Sequence, residues 1–120
     1  MSFEPRLNLV VIRARDLERA AQFYGALGLA FEKHRHGKGA EHYASVSESL
    51  VFEIYPQQAE AQSTSATRIG FLVRSVDAAV AHLAGQGASV ISAPQDSPWG
   101  RRAVVTDPDG HRVELTERKE

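Results

Sequence analysis

The feature that most constrains this chain is an internal repeat. Sliding the sequence by 59 residues lays Leu17 on Val76, Glu18 on Asp77, Ala20 on Ala79 and Gly28 on Gly87. Two identities and two conservative pairs carry little weight alone, but they coincide with a repeated order of strand, cap, helix and glycine, which points to duplication. Each half is only about 55 residues, too small to bury a core of its own, so the halves are expected to pack as one domain over residues 1–120.

The first half reads as β-α-β-β-β. "LNLVVIRA" (7–14) is β-branched and apolar, Asp16 can cap a helix "LERAAQFYGALG", and Gly28 supplies its stop. Three strand candidates follow, "LAFEKHRH", "EHYASVS" and "SLVFEIYP", separated by "GKGA" and "ES". The stretch 57–67 is polar, small and aperiodic, a linker between module one (5–56) and module two (68–118). The order then begins again: "RIGFLVR", a Ser75 cap, "VDAAVAHLAGQG" stopped at Gly87, "ASVIS", "RRAVVTD", the turn "DPDG" and "HRVELTE". The fold class is therefore α+β, two tandem modules whose curved mixed sheets form a cleft.

Strand alternation assigns faces. Val10, Ile12, Phe52, Ile54, Ile69, Phe71, Val73, Val113 and Leu115 should turn toward the helices. Their neighbours Leu9, Val11, Arg13, Glu53 and Tyr55, and Arg68, Gly70, Leu72, Glu114 and Thr116, should line the opposite face, where charged residues in a trough are candidates for a site.

Composition excludes several partners. Fourteen basic against fifteen acidic residues, with no basic block, give no electrostatic footprint for nucleic acid or an anionic membrane. There is no cysteine for a disulfide, thiolate metal site or nucleophile, and "MSFEPRLNLV" lacks the apolar core of a signal peptide, so a soluble, cytoplasmic protein is expected.

The stretches "VVIRARDLERAAQFYGALGL", "LVFEIYP", "IGFLVRSVDAAVAHLAGQGASV" and "PWGRRAVVTDPDGHRVEL" together resemble the vicinal oxygen chelate superfamily, which includes glyoxalase I, bleomycin-resistance proteins, extradiol dioxygenases and fosfomycin-resistance enzymes. The resemblance spans nearly the whole chain. It implies paired β-α-β-β-β modules, usually in a homodimer whose cavities combine modules from both chains. It also implies, in metal-dependent members, one divalent ion held from the first and last strand of each module, which here maps to Leu9, Glu53, Arg68 and Glu114. Leu9 and Arg68 stand where histidine is usual. Leu9 offers no donor atom, and a guanidinium stays protonated, offers no lone pair and repels a nearby cation. The expectation is that no metal or other cofactor is bound there and that Arg68 pairs with Glu53, Glu114 or both; the plainer alternative is three unrelated, partly solvated charges.

Other residues complete the candidate site. His34 and His36 lie two apart on one strand and could share a face with His42 across the hairpin. A solvated strand end is the plainer reading, and the resemblance places no metal ligand there; lining the ligand cavity with His34 or His42 fits better. Trp99, in a Pro- and Gly-flanked loop, is a candidate cavity wall or a packing or dimer contact. Tyr55 shares the face of Glu53. His82 and His111 read as surface residues, the two aspartates of "DPDG" as turn formers, and Phe23, Tyr24 and Phe31 as core.

The leading expectation is a metal-independent small-molecule-binding protein, a homodimer whose ligand-binding residues are Glu53, Tyr55, Arg68, Trp99, Glu114 and His42, sequestering an antibiotic or aromatic metabolite. Whether it catalyses a reaction stays open, since Glu53 or Glu114 in an apolar trough could move a proton. One alternative is a metal-dependent lyase or dioxygenase using Glu53, Glu114 and a recruited histidine such as His42. Another is a structural or regulatory dimer without a ligand.

Overall fold

A computed structural model describes residues 2–117. Its elements are β1 (Leu9–Ala14), α1 (Leu17–Leu27), β2 (Glu32–His34), β3 (His42–Ser47), β4 (Leu50–Pro56), β5 (Arg68–Val73), α2 (Val76–Gly85), β6 (Ser89–Gln95), β7 (Arg102–Thr106) and β8 (Arg112–Glu117). The strands form two four-stranded mixed sheets of order β1-β4-β3-β2 and β5-β8-β7-β6. In each, the first and last strands of a module run parallel at one side and the hairpin strands continue antiparallel.

Local signals set the boundaries. Asp16 and Ser75 accept hydrogen bonds from the backbone N–H groups of Arg19 and Ala78, satisfying donors that the first helical turns leave unpaired. α1 ends at Gly28, whose φ of 121° lies where a side chain would be strained. The β2 strand is shorter than "LAFEKHRH" suggests, because the chain leaves it at Arg35 to enter a tight glycine turn. β6 is longer than "ASVIS" and contains Pro94; as the edge strand it tolerates a missing N–H, and its pairing with β7 shifts register around Ser92.

The predicted alternation is present. Ile12, Phe52, Ile54, Val113 and Leu115 join Ala20, Phe23, Tyr24, Val76, Val80 and Leu83 in one buried cluster that draws on the helix side of both sheets. The two modules therefore share a core. Tyr24 is its centre, with Phe23, Phe52 and Phe71 around it at ring separations of 5.0, 5.1 and 6.0 Å. Among the described residues no helix is long and apolar enough to cross a membrane.

One polar network is buried with that core. His111 is 0% exposed, which corrects its reading as a surface residue, while His82 is exposed as expected. The Tyr24 hydroxyl donates to Asp107 Oδ2 at 2.7 Å, and His111 donates Nδ1–H to the same oxygen at 2.8 Å. Asp107 Oδ1 accepts the N–H groups of Asp109 and His111. Thr64, in the linker, donates to His111 Nε2 at 2.7 Å and accepts the Arg13 N–H at 2.9 Å. The "DPDG" turn thus does more than reverse the chain: its first aspartate ties α1, β1 and the linker to the β7–β8 hairpin. Burial pushes the Asp107 carboxyl up, but the hydrogen bonds from His111 and Tyr24 outweigh it and hold the group below the usual carboxylate range. Burial, with the Asp107 charge beside it, pushes the Tyr24 phenol well up.

Candidate functional site

The two modules place their site residues by one rule. β4 pairs with β1 so that Glu53 lies opposite Val11, and β8 pairs with β5 so that Glu114 lies opposite Gly70. Positions 11 and 70 are 59 apart, as are Leu9 and Arg68, so the two carboxylates occupy equivalent rungs on the faces turned away from the helices.

On the first sheet, antiparallel pairing sets Ala44 against Glu53, which brings His42 to the same face one rung along. The His42 ring stacks on Tyr55 with centroids 4.2 Å apart and planes 7° off parallel. Its Nε2 lies 3.5 Å from the Tyr55 hydroxyl and 3.6 Å from Glu53 Oε2. Arg13 also approaches this group, its guanidinium 6.0 Å from the Tyr55 ring centre and bonded to the Pro56 carbonyl. Glu53, Tyr55 and His42 are therefore brought together.

On the second sheet, Glu114 is bound by Arg102, not Arg68. The hairpin turn at 107–110 fixes Val104 opposite Glu114 and Arg102 opposite Thr116, so Arg102 is a diagonal neighbour on the same face. Arg68 starts β5 opposite Arg112, is exposed, and among the described residues forms no ion pair with either glutamate. The expected pairing of Arg68 with Glu53 or Glu114 is thus corrected: the chain holds two separate groups, Glu53–His42–Tyr55 and Glu114–Arg102. Arg102 is the residue that sequence reasoning missed. Its signal was the turn "DPDG", which fixes the register of the hairpin and hence which arginine of "RR" shares the face of Glu114.

Trp99 lies in the loop between β6 and β7 and is 77% exposed. The loop is held by Arg101, which bonds Asp77 and Asp96. Two cavities on the chain include none of the six predicted ligand residues. One, about 520 Å³, is apolar and lies between Leu27, Leu29, Val46, Phe52, Phe71 and Leu72. The other, about 560 Å³, is polar, with Arg13, Arg15, Gln57, Ser63 and Asp109 on its walls. Trp99 aside, the predicted residues lie on the sheet faces turned away from the helices, outside both cavities.

The four positions at which the resemblance places metal ligands do not fit a metal. Leu9 has no donor, Arg68 is a fixed cation, and Glu114 is engaged by a second arginine. Thr64, His111 and Asp107 have the spacing of a nucleophile relay, yet the imidazole is fully buried and the threonine oxygen is taken by the Arg13 amide; they serve as a staple.

A model of the Glyoxalase/Bleomycin resistance protein/Dioxygenase superfamily matches residues 6–115. An uncharacterized protein of Mycolicibacterium smegmatis is 28% identical over 105 residues, covering 88% of this chain and 87% of that one. Among solved structures, TnmS3, an antibiotic binding protein from Streptomyces sp. CB03234, superposes with a TM-score of 0.79 at 22% identity, covering 99% of this chain and all of that one. A family enzyme from Burkholderia phytofirmans PsJN gives 0.76 at 19% identity, with 96% and 100% coverage. TioX from Micromonospora sp. ML1 gives 0.73 at 20% identity, again covering 96% and 100%.

Proposed function

Because the chain belongs to the glyoxalase/bleomycin resistance protein/dioxygenase superfamily, we propose that it binds a small organic molecule in a groove that needs no metal at the superfamily's ligand positions, as an antibiotic- or metabolite-sequestering protein. The observation that carries this reading is the Arg102–Glu114 pair: a carboxylate at a metal-ligand position is already neutralised by a guanidinium, while Leu9 and Arg68 stand where donors are needed. The likeness in fold to an antibiotic binding protein supports the same reading.

The functional unit under this proposal is a homodimer of single-domain chains, each built of modules 5–56 and 68–118. The chain is spread rather than spherical, with a radius of gyration of 15.2 Å against about 14 Å for a compact domain of this length. Its groove-side faces leave Leu9, Val11 and Leu72 exposed. A second copy laid across them would bring a Glu53–His42–Tyr55 group against a Glu114–Arg102 group and close a site that each chain only half builds. Arg68 and Trp99 would stand at its rim, as a cation and a stacking surface for an aromatic ligand.

The test is calorimetric titration with bleomycin and a panel of planar aromatic antibiotics, in EDTA, with Trp99 fluorescence as a second readout. Saturable binding in EDTA, weakened by Glu114→Gln and by Arg102→Met, is the expected result. Binding or turnover that appears only when a divalent metal is restored, and is lost with Glu114→Gln, would favour the metal-dependent lyase or dioxygenase reading and overturn this one.

A further inference from the structure

The first sheet carries a second cluster, which shares His42 with the groove and adds His34 and His36. The β2–β3 register sets His34 directly opposite His42, and the turn that follows β2 brings the His36 ring beside both. The ring centroids of the three histidines are 5.9, 5.9 and 5.2 Å apart, and one nitrogen from each falls within 4.8 Å of the others. We propose that His34, His36 and His42 form a site for a zinc-class divalent cation, distinct from the four positions at which the superfamily resemblance would place a metal.

Three rings bound through one nitrogen each, about 2.1 Å from a tetrahedral ion, have centroids about 5 Å apart and nitrogens about 3.4 Å apart. The observed rings are close to that arrangement, and the remaining closure of about 1 Å falls within side-chain rotation of the half-buried His34 and the exposed His36. In two of the rings a hydrogen bond holds one nitrogen and leaves the other to ligate. His42, 1% exposed, donates Nδ1–H to the Ala40 carbonyl at 3.1 Å, leaving the Nε2 lone pair. His34 donates Nε2–H to Glu32 at 3.3 Å, leaving Nδ1. A carboxylate or carbonyl behind a ligating imidazole is the usual way such rings are oriented.

The local chain is shaped for this. His36 opens a tight turn in which the Gly39 N–H donates to its carbonyl at 3.0 Å. Gly37 sits at φ +60°, and a Cβ on Gly39 would stand 3.0 Å from the His36 carbonyl oxygen. The neighbouring cations are turned away: Lys33 lies over the Tyr43 ring, and Arg35 reaches Glu41. A set of imidazoles alone selects zinc, nickel, cobalt or copper over magnesium and calcium. Because His42 also touches Tyr55 and approaches Glu53, the ion would sit at the groove wall, its open position available to an oxygen or nitrogen of the bound molecule.

The test titrates the full-length, tag-free chain with ZnCl2 by calorimetry and with CoCl2 by visible absorption, no organic ligand present. One ion per chain at micromolar or tighter affinity, with the intense bands of four-coordinate cobalt, is expected. Affinity should fall at least about tenfold in His34→Ala/His36→Ala and in Gly39→Ala, and should be unchanged in Glu114→Gln. His36 and Gly39 are exposed and His34 is half-buried at the end of the edge strand β2, and circular dichroism checks that these variants keep the fold. Absence of saturable binding, or full binding by His34→Ala/His36→Ala, overturns the site and leaves the metal-free groove standing. Retention in that double variant with loss in Glu114→Gln would overturn both.

Discussion

Glu53 and Glu114 stand on equivalent rungs of the two sheets, one beside Val11 and the other beside Gly70, yet each has a different partner. Glu53 faces a buried histidine and Glu114 an arginine. The duplicated positions therefore differ in chemistry while keeping their geometry: a carboxylate beside a buried imidazole on one sheet, a carboxylate paired with a guanidinium on the other.

The partner of Glu114 can be identified by a double-mutant cycle. Both members of the Arg102–Glu114 pair are about 30% exposed, so a coupling of about 1 kcal/mol is expected between Arg102→Met and Glu114→Gln in urea unfolding. The same cycle with Arg68→Met should give a coupling indistinguishable from zero. A larger coupling to Arg68 would show that the guanidinium at 68 holds the carboxylate in solution.

Tyr24→Phe removes one hydroxyl from the buried network and keeps the ring in the core. The Asp107 oxygen it served remains bonded to His111, so the loss should be that of one charge-assisted hydrogen bond, about 1.5–3 kcal/mol in denaturant midpoint analysis. A change below a few tenths of a kcal/mol would mean the network contributes register but little stability.

Acid unfolding tests Asp107 directly. Its folded carboxyl titrates below the usual range, so its contribution is fully present above the unfolded value of about 3.9 and is lost as pH falls through the lower folded value. In Asp107→Asn that component of the acid transition should vanish, giving a shallower loss of stability below about pH 4, on top of lower stability at neutral pH because an amide N–H would meet the His111 Nδ1–H. An unchanged acid limb would assign the transition to other carboxylates.

What the sequence made legible follows from where each constraint is written. Helix caps at Asp16 and Ser75, the stop at Gly28 and the two-residue alternation of β1, β4 and β8 are local, and each lies where the residues put it. The pairing of Glu114 depends on a hairpin register, which a single strand does not state, so position in the modules alone points to Arg68 where the register supplies Arg102. His111 reads as a surface residue in the sequence because its burial arises from α1 and the linker, 87 and 47 positions away at Tyr24 and Thr64. The separation of the two carboxylate groups in one chain is a matter of how modules pack, which alternation along a strand does not encode.

Gly110 controls how β8 is aimed. It closes the 107–110 turn at φ +94°, with open space where a side chain would go. Gly110→Ala should therefore cost only backbone strain, about 1–2 kcal/mol, with no steric component. A loss above about 4 kcal/mol would mean that the turn, and with it the Asp107 network, cannot form with a side chain there.

Leu72 offers the most direct test of the proposed assembly. It lies on the groove face of β5 and is 57% exposed in the single chain, with Leu9 and Val11 exposed on the corresponding face of β1. Exposed apolar side chains on the corresponding faces of both sheets favour a partner, since burial contributes about 25 cal/mol per Å² removed from water. The chain of 13.1 kDa should then sediment with twice that mass at micromolar concentration. Leu72→Glu would place an unpaired carboxylate in the interface and shift the equilibrium to monomer, while leaving the shared core of Ile12, Tyr24, Val113 and Leu115 intact and thermal unfolding of the monomer cooperative. If the wild-type chain sediments as a monomer at all accessible concentrations, each chain must close its own groove, and the Glu53 and Glu114 groups would then act as two independent sites.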